Sequence, residues 1–228
     1  MIDQSILIGA GVAVAIAAGL LLKRKKKEPI QSEMIALFGD SHAWRNGEGR
    51  EEHDGKEFGK AGMIHGFMCA LTNDSRGKYY LKSQADNFGI GGETSRQILS
   101  RVSTLRQTKA KRVIVSAVSN AVAAGAAPSV IVSDLSNIHK AITEMGKTPI
   151  FLTSPPRPNW GDKDPARCNK SLESVNGWLV AMRKRGWIVA DLHPAIIPAK
   201  HLNPDQIHLN RVGGQVAAVV IFNTLEGK

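Results

Sequence analysis

A chain of 228 residues has room for one domain of ordinary size plus a short appendage, and 43% hydrophobic with 22% charged residues places it in the globular class and excludes disorder for most of it. Lys23, Arg24, Lys25, Lys26 and Lys27 supply half of the net charge of +10 in one run, and aromatics make up only 5%, so the basic stripe with interleaved aromatics of a specific nucleic-acid binder is missing. Two well-separated cysteines, Cys69 and Cys168, form neither a disulfide framework nor a CxxC metal or redox site, and they are compatible with a reducing compartment.

After a short tail, residues 1–5, the segment 6–22 (ILIGAGVAVAIAAGLLL) carries no charged or strongly polar side chain. Its length is at the short edge of what crosses a bilayer as a helix, and being apolar on every side suits lipid better than a protein core. The competing reading is a secretory signal peptide. In such a peptide positive charge precedes the apolar stretch, whereas here it follows, and only Asp3 stands before it. The expectation is a single transmembrane anchor. Gly11, Ala15 and Gly19 recur every fourth residue, a spacing that suits helix–helix association and that an Ala/Gly-rich span also produces by chance.

The run from Lys23 to Lys27 is expected at anionic head groups, each charge adding about 1 kcal/mol of attraction. The positive-inside rule then puts this flank, and everything after it, on the cytoplasmic side, or on the equivalent face of a virion membrane. Residues 23–33 form a basic flank and linker, and the domain proper is expected over 34–228.

Within that domain short apolar runs alternate with longer amphipathic ones. Strands are expected at 34–38, 85–88, 112–117, 149–153 and 187–191, with helices near 58–71, 95–107, 130–145 and 171–184 and a last one after Gly213. Five strands alternating with helices imply a parallel sheet covered on both faces, a three-layer α/β/α sandwich. Ligand sites in such sheets lie beyond the carboxyl ends of the strands.

Four features stand at those ends. Gly39-Asp40-Ser41 follows the first strand; alone, these residues are ordinary turn formers. The glycine-rich NFGIGGETS, containing Gly92, follows the second and lets backbone approach a ligand closely. It lacks the spacing of a dinucleotide fingerprint. Ser119-Asn120 follows the third strand, where the amide is either a hydrogen-bond donor or a helix cap or Asx turn. Near the end, Asp205 precedes His208 by three residues, a spacing that lets the carboxylate hold one ring nitrogen and leaves the other free as a base.

Taken together and in this order, these blocks resemble the SGNH, or GDSL-type, hydrolase family, over roughly residue 34 to the end. The resemblance implies a flavodoxin-like α/β/α fold and a serine esterase, lipase or deacetylase that needs no cofactor. It makes Ser41 the nucleophile, His208 the general base and Asp205 its orienting acid. The oxyanion would be held by the backbone N–H groups of Ser41 and Gly92 and the side chain of Asn120. The third block departs from the family's Gly-x-Asn-Asp, since Val118 and Ala121 flank the asparagine; the donor is kept and the conformation of its loop is left open. His42 stands where an apolar residue is common, as a substrate contact or a half-exposed turn histidine.

His53, His65, His139, His193 and His201 show no metal-binding spacing, so no metal is expected. Asp191 and His193 look like a second acid–base pair, and the proline-rich segment 154–168 with Trp160 is a plausible rim for the substrate. The function expected is a membrane-anchored serine hydrolase of an acyl ester, whether a carbohydrate O-acetyl group, a lipid or another ester. The alternative is a non-catalytic membrane component, or a phage or virion structural component, that retains the fold.

Overall fold

The computed structural model describes residues 32–45, 67, 68, 71, 78–80 and 84–228. Ser32–Lys228 forms one compact unit. The expected tail, anchor and basic flank, and most of the expected helix 58–71, lie outside the described residues; Phe67, Met68 and Leu71 of that helix are helical and buried. Among the described residues no helix is long and apolar enough to cross a membrane.

Strand β1 (Glu33–Gly39) is buried on both faces, as a strand inside a parallel sheet must be. On one side of it run β2 (Tyr79–Tyr80) and β3 (Asn87–Gly89), placed end to end along the same edge, with Glu33 opposite Tyr79 and Leu37 opposite Asn87. On the other side follow β4 (Arg112–Ser116), β5 (Thr148–Leu152) and β6 (Ile188–Ala190), all parallel, with Ile35 opposite Arg112 and Ile150 opposite Ile188. Among the described residues the sheet thus has six strands and not the five expected. The extra strand is two residues long, too short for any periodicity, and it shares an edge position with β3, so five positions remain across the sheet.

Alternation along β1 assigns the two cores. Ala36 and Phe38 join Val113, Val115, Phe151 and Val189 on one face, covered by Ile98, Leu135 and Leu172. Those three come from α2 (Ser95–Ser100), α4 (Pro128–Glu144) and α5 (Pro165–Met182). Ile35 and Leu37 join Ile114, Ile150 and Leu152 on the other face, covered by Ala43 and by Ala217, Ala218 and Ile221. These lie on α1 (Ser41–Arg45) and α7 (Arg211–Leu225). Helices on both faces make the three layers, and each fully buried aliphatic or aromatic side chain contributes about 1.5–3 kcal/mol.

Several boundaries move for local reasons. The helix expected over 95–107 breaks at Arg101 (φ −111°, ψ 13°), after which Val102–Gln107 continues as a 3-10 turn. α5 starts six residues before the expected 171, because Asp164 accepts the Ala166 N–H and Pro165 occupies the first helical position. The loop after β5 is correspondingly shorter. Three short helices, α1 (Ser41–Arg45), α3 (Ser119–Ala123) and α6 (Pro198–His201), are additional to those expected.

Candidate active site

The end of β1 fixes Ser41. Gly39 adopts φ +147°, and a Cβ there would lie 1.9 Å from the Ser116 carbonyl oxygen, so only glycine lets the chain pass this close to β4. The Asp40 N–H donates to that same carbonyl at 3.0 Å. The Asp40 Oδ1 accepts from the His42 N–H and the Ser116 hydroxyl, each at 3.0 Å, and so caps α1. Burial pushes the Asp40 carboxyl above the usual carboxylate range, against the opposing effects of His42 and Ser116. Ser41 is thereby the first residue of α1, and its N–H has no hydrogen-bond partner among the described residues.

His208 arrives on a tight loop between α6 and α7. Leu202 and Leu209 bridge antiparallel, Asn203 N–H donates to the His208 carbonyl at 2.8 Å, and Gln206 takes φ +56° at the tip. The Asp205 Oδ1 accepts the N–H groups of Ile207 (2.9 Å) and His208 (3.0 Å), while Oδ2 lies 2.6 Å from the His208 Nδ1. Burial works against ionisation of Asp205, but the His208 N–H and ring and the Ile207 N–H outweigh it and bring the pKa down to about 2. An ionised carboxylate only accepts, so Nδ1 carries the ring proton and Nε2 is the acceptor facing the Ser41 Oγ at 2.9 Å. Ser41, His208 and Asp205 therefore form one continuous hydrogen-bonded chain.

The glycine loop is anchored beside it. The Ile90 N–H donates to the Gly39 carbonyl at 2.9 Å. Arg101 clasps the whole corner, with Nη1 on the Phe88 carbonyl (2.7 Å), Nη2 on the Gly39 carbonyl (2.8 Å) and Nε on the Glu93 carboxylate (2.6 Å). Gly92 adopts φ +83° with open space where a Cβ would be, and its N–H has no partner among the described residues. Asn120, on α3, donates through Nδ2 to the Glu93 carbonyl at 3.2 Å, so the amide lies against the residue next to Gly92. The four blocks separated in sequence thus meet at the carboxyl edge of the sheet.

Other sequence candidates fall elsewhere. His42 is buried, not half-exposed, with its ring 5.5 Å from that of His208. Asp191 and His193 are not an acid–base pair: the Asp191 carboxylate accepts from the Thr153 hydroxyl at 2.8 Å, whereas the His193 ring Nδ1 lies 3.0 Å from both the Ser154 carbonyl and the Asn176 Nδ2. His139 stacks on Trp187 at 3.9 Å, and the His201 Nδ1 accepts the Ile197 N–H at 2.9 Å. His53 and His65 lie outside the described residues. Among the described residues no group of His, Cys, Asp and Glu is arranged to hold a metal ion.

Two residues of the loop after β5 reach the site without having been singled out by sequence. The Arg157 Nη1 lies 3.4 Å from the Asn120 Oδ1, and the Asn159 Nδ2 donates to the Asp205 carbonyl at 3.1 Å. The proline-rich SPPRPNW sequence marks the loop as structured, and nothing in it marks these two side chains.

Known proteins show the same arrangement of elements. Residues 37–216 match the model of the GDSL-like lipase/acylhydrolase family. The fold is similar to that of Axe2, an acetyl-xylooligosaccharide esterase from Geobacillus Stearmophilus, at 17% identity and a TM-score of 0.65, covering 87% of this chain and 96% of that one. It is similar to LAE5, an α/β hydrolase enzyme from the metagenome of Lake Arreo, Spain, at 19% identity and a TM-score of 0.63, covering 85% and 95%. It is similar as well to TesA, at 17% identity and a TM-score of 0.62, covering 86% and 99%. A comparison with curated proteins finds no match. With the family match spanning most of the chain and a parallel α/β sheet carrying its motifs, the chain belongs to the GDSL-like lipase/acylhydrolase family, as a serine esterase of the SGNH type.

Proposed function

We propose that Ser41 attacks the carbonyl of a carboxylic ester and that the reaction runs through an acyl-serine intermediate. The observation that carries this reading is the Ser41–His208–Asp205 hydrogen-bonded chain. A serine hydroxyl is a weak nucleophile until a base takes its proton, and His208 Nε2 stands at the distance for that transfer. Asp205 holds the ring in the required tautomer and stabilises the imidazolium once it forms. The carbonyl oxygen becomes an oxyanion, for which the Ser41 and Gly92 N–H groups and the Asn120 amide are the donors. Collapse expels the alkoxide, which takes the proton from His208. Water activated by the same histidine then adds to the acyl carbon, and the intermediate collapses to free acid and restored Ser41.

The substrate is an acyl ester, either a small acyl group on a carbohydrate or a lipid ester. Axe2, whose fold is similar, acts on acetyl-xylooligosaccharides, which supports including an O-acetylated sugar among the first substrates. On sequence grounds we place residues 6–22 in a bilayer, with the Lys23–Lys27 flank and the esterase domain on the cytoplasmic side. The test is turnover of p-nitrophenyl esters of increasing chain length and of acetylated xylooligosaccharides by the full chain. Hydrolysis that disappears in Ser41→Ala is expected. Hydrolysis that survives this substitution would overturn the assignment of the nucleophile, and the absence of any turnover would favour a non-catalytic role for the fold.

A further inference from the structure

We propose that Arg157 is a positioning residue that sets the Asn120 amide for the oxyanion, an inference that rests on the esterase reading above. A guanidinium has only donors and a backbone carbonyl only lone pairs, so the neighbours of an asparagine amide decide which way it faces. Arg157 Nη1 meets the Asn120 oxygen at 3.4 Å, and the Glu93 carbonyl accepts from the Asn120 nitrogen at 3.2 Å. Exchanging the amide oxygen and nitrogen would set donor against donor and acceptor against acceptor. One Nδ2 hydrogen is taken by Glu93, and the second is left for the substrate oxygen.

The contact from Arg157 to Asn120 is long for a hydrogen bond, and other contacts fix the guanidinium. Its Nη1 donates to the Ser119 hydroxyl at 3.0 Å and its Nε to the Asn159 carbonyl at 2.9 Å. Its planar group lies over Trp160, 4.8 Å from the ring centre, and the buried Trp160 is itself held through Nε1 to Asn169 at 2.8 Å. A rigid fork is thus presented to a side chain that nothing on its own helix orients: the next residue is Ala121, packed in the core with no polar group to offer. Asn159 of the same loop donates to the Asp205 carbonyl, so one segment touches the elements carrying both the oxyanion donor and the triad acid.

A double-mutant cycle on the full chain tests this, with kcat and KM for p-nitrophenyl acetate and the thermal midpoint measured for wild type, Arg157→Ala, Asn120→Ala and the double variant. If Arg157 acts through Asn120, Arg157→Ala lowers kcat by about tenfold or more with KM changed less than about twofold, and in the Asn120→Ala background the same substitution changes kcat less than about twofold. Arg157→Lys, which keeps the charge and loses the fork, is expected between wild type and Arg157→Ala. An equal loss in both backgrounds, or a rise in KM alone, would overturn the inference, the latter marking Arg157 as a substrate contact. Should Arg157→Ala not fold, Arg157→Lys and Arg157→Gln carry the same cycle. Wild-type turnover that is lost in Ser41→Ala upholds the esterase reading whatever the Arg157 variants do, whereas a wild-type chain that neither turns over esters nor reacts with a fluorophosphonate removes both.

Discussion

Partial burial of Asp205 works to raise its pKa, yet the hydrogen bonds it accepts from His208 and Ile207 bring it from 3.8 to about 2. Because the fold prefers the ionised form, this group contributes stability above its ordinary pKa, and the contribution is lost as pH falls through about 2. Burial of Asp40 acts in the opposite sense: its raised pKa means that the fold bears a growing cost as pH climbs through and above the ordinary carboxyl range. Thermal unfolding followed against pH should therefore show Asp205→Asn furthest below wild type near neutrality and converging with it at the acid end. Asp40→Asn, whose amide oxygen still caps α1, should gain on wild type as pH rises. Asn120→Ala removes one oxyanion donor and no core volume, and is expected to lower kcat by 10²- to 10³-fold, about 2.7–4 kcal/mol, with the thermal midpoint unchanged. Asp205 and His208 were legible because their pairing is local, three residues apart. Arg157 was not, since its partner lies 37 residues away and depends on how the loop after β5 folds back.

Among the elements, β1, β4 and β5 were readable as unbroken apolar runs because a parallel strand is buried on both faces. β2 left no such mark: two tyrosines become a strand only by docking on β1. α3, five residues long, is shorter than two helical turns and shows no periodicity, so Asn120 read equally well as a cap, although it lies inside the helix. The start of α5 was written in Asp164-Pro165, ahead of the apolar spacing that marks its later turns. Packing of α7 against α6 depends on Gly213, where a Cβ would meet the His201 carbonyl oxygen at 2.1 Å. Gly213→Ala is expected to destabilise by about 1–3 kcal/mol and to slow ester turnover as well, because the shifted helix ends carry the loop that bears His208. Gly177→Ala in α5, where a Cβ meets nothing within 4 Å, is the control, expected to be neutral or stabilising by up to about 1 kcal/mol in urea unfolding.

At the scale of the whole molecule, sequence alone carries the expectation of an anchor, through an apolar segment at 6–22 followed by five consecutive positive charges. The full chain should be recovered with membranes and released by detergent but not by high salt. A carboxyl-terminal reporter that works only in the cytoplasm should be active, and activity of a reporter that works only outside would reverse the proposed orientation. The catalytic assignment is independent of sidedness and stands on three side chains drawn from the two ends of the domain. It is tested most directly by treating the full chain with a fluorophosphonate and sequencing the modified peptide by mass spectrometry. The account predicts a single phosphonyl adduct on Ser41, absent in Ser41→Ala and formed far more slowly in His208→Ala. An adduct on any other residue, or labelling that persists unchanged in Ser41→Ala, would contradict it.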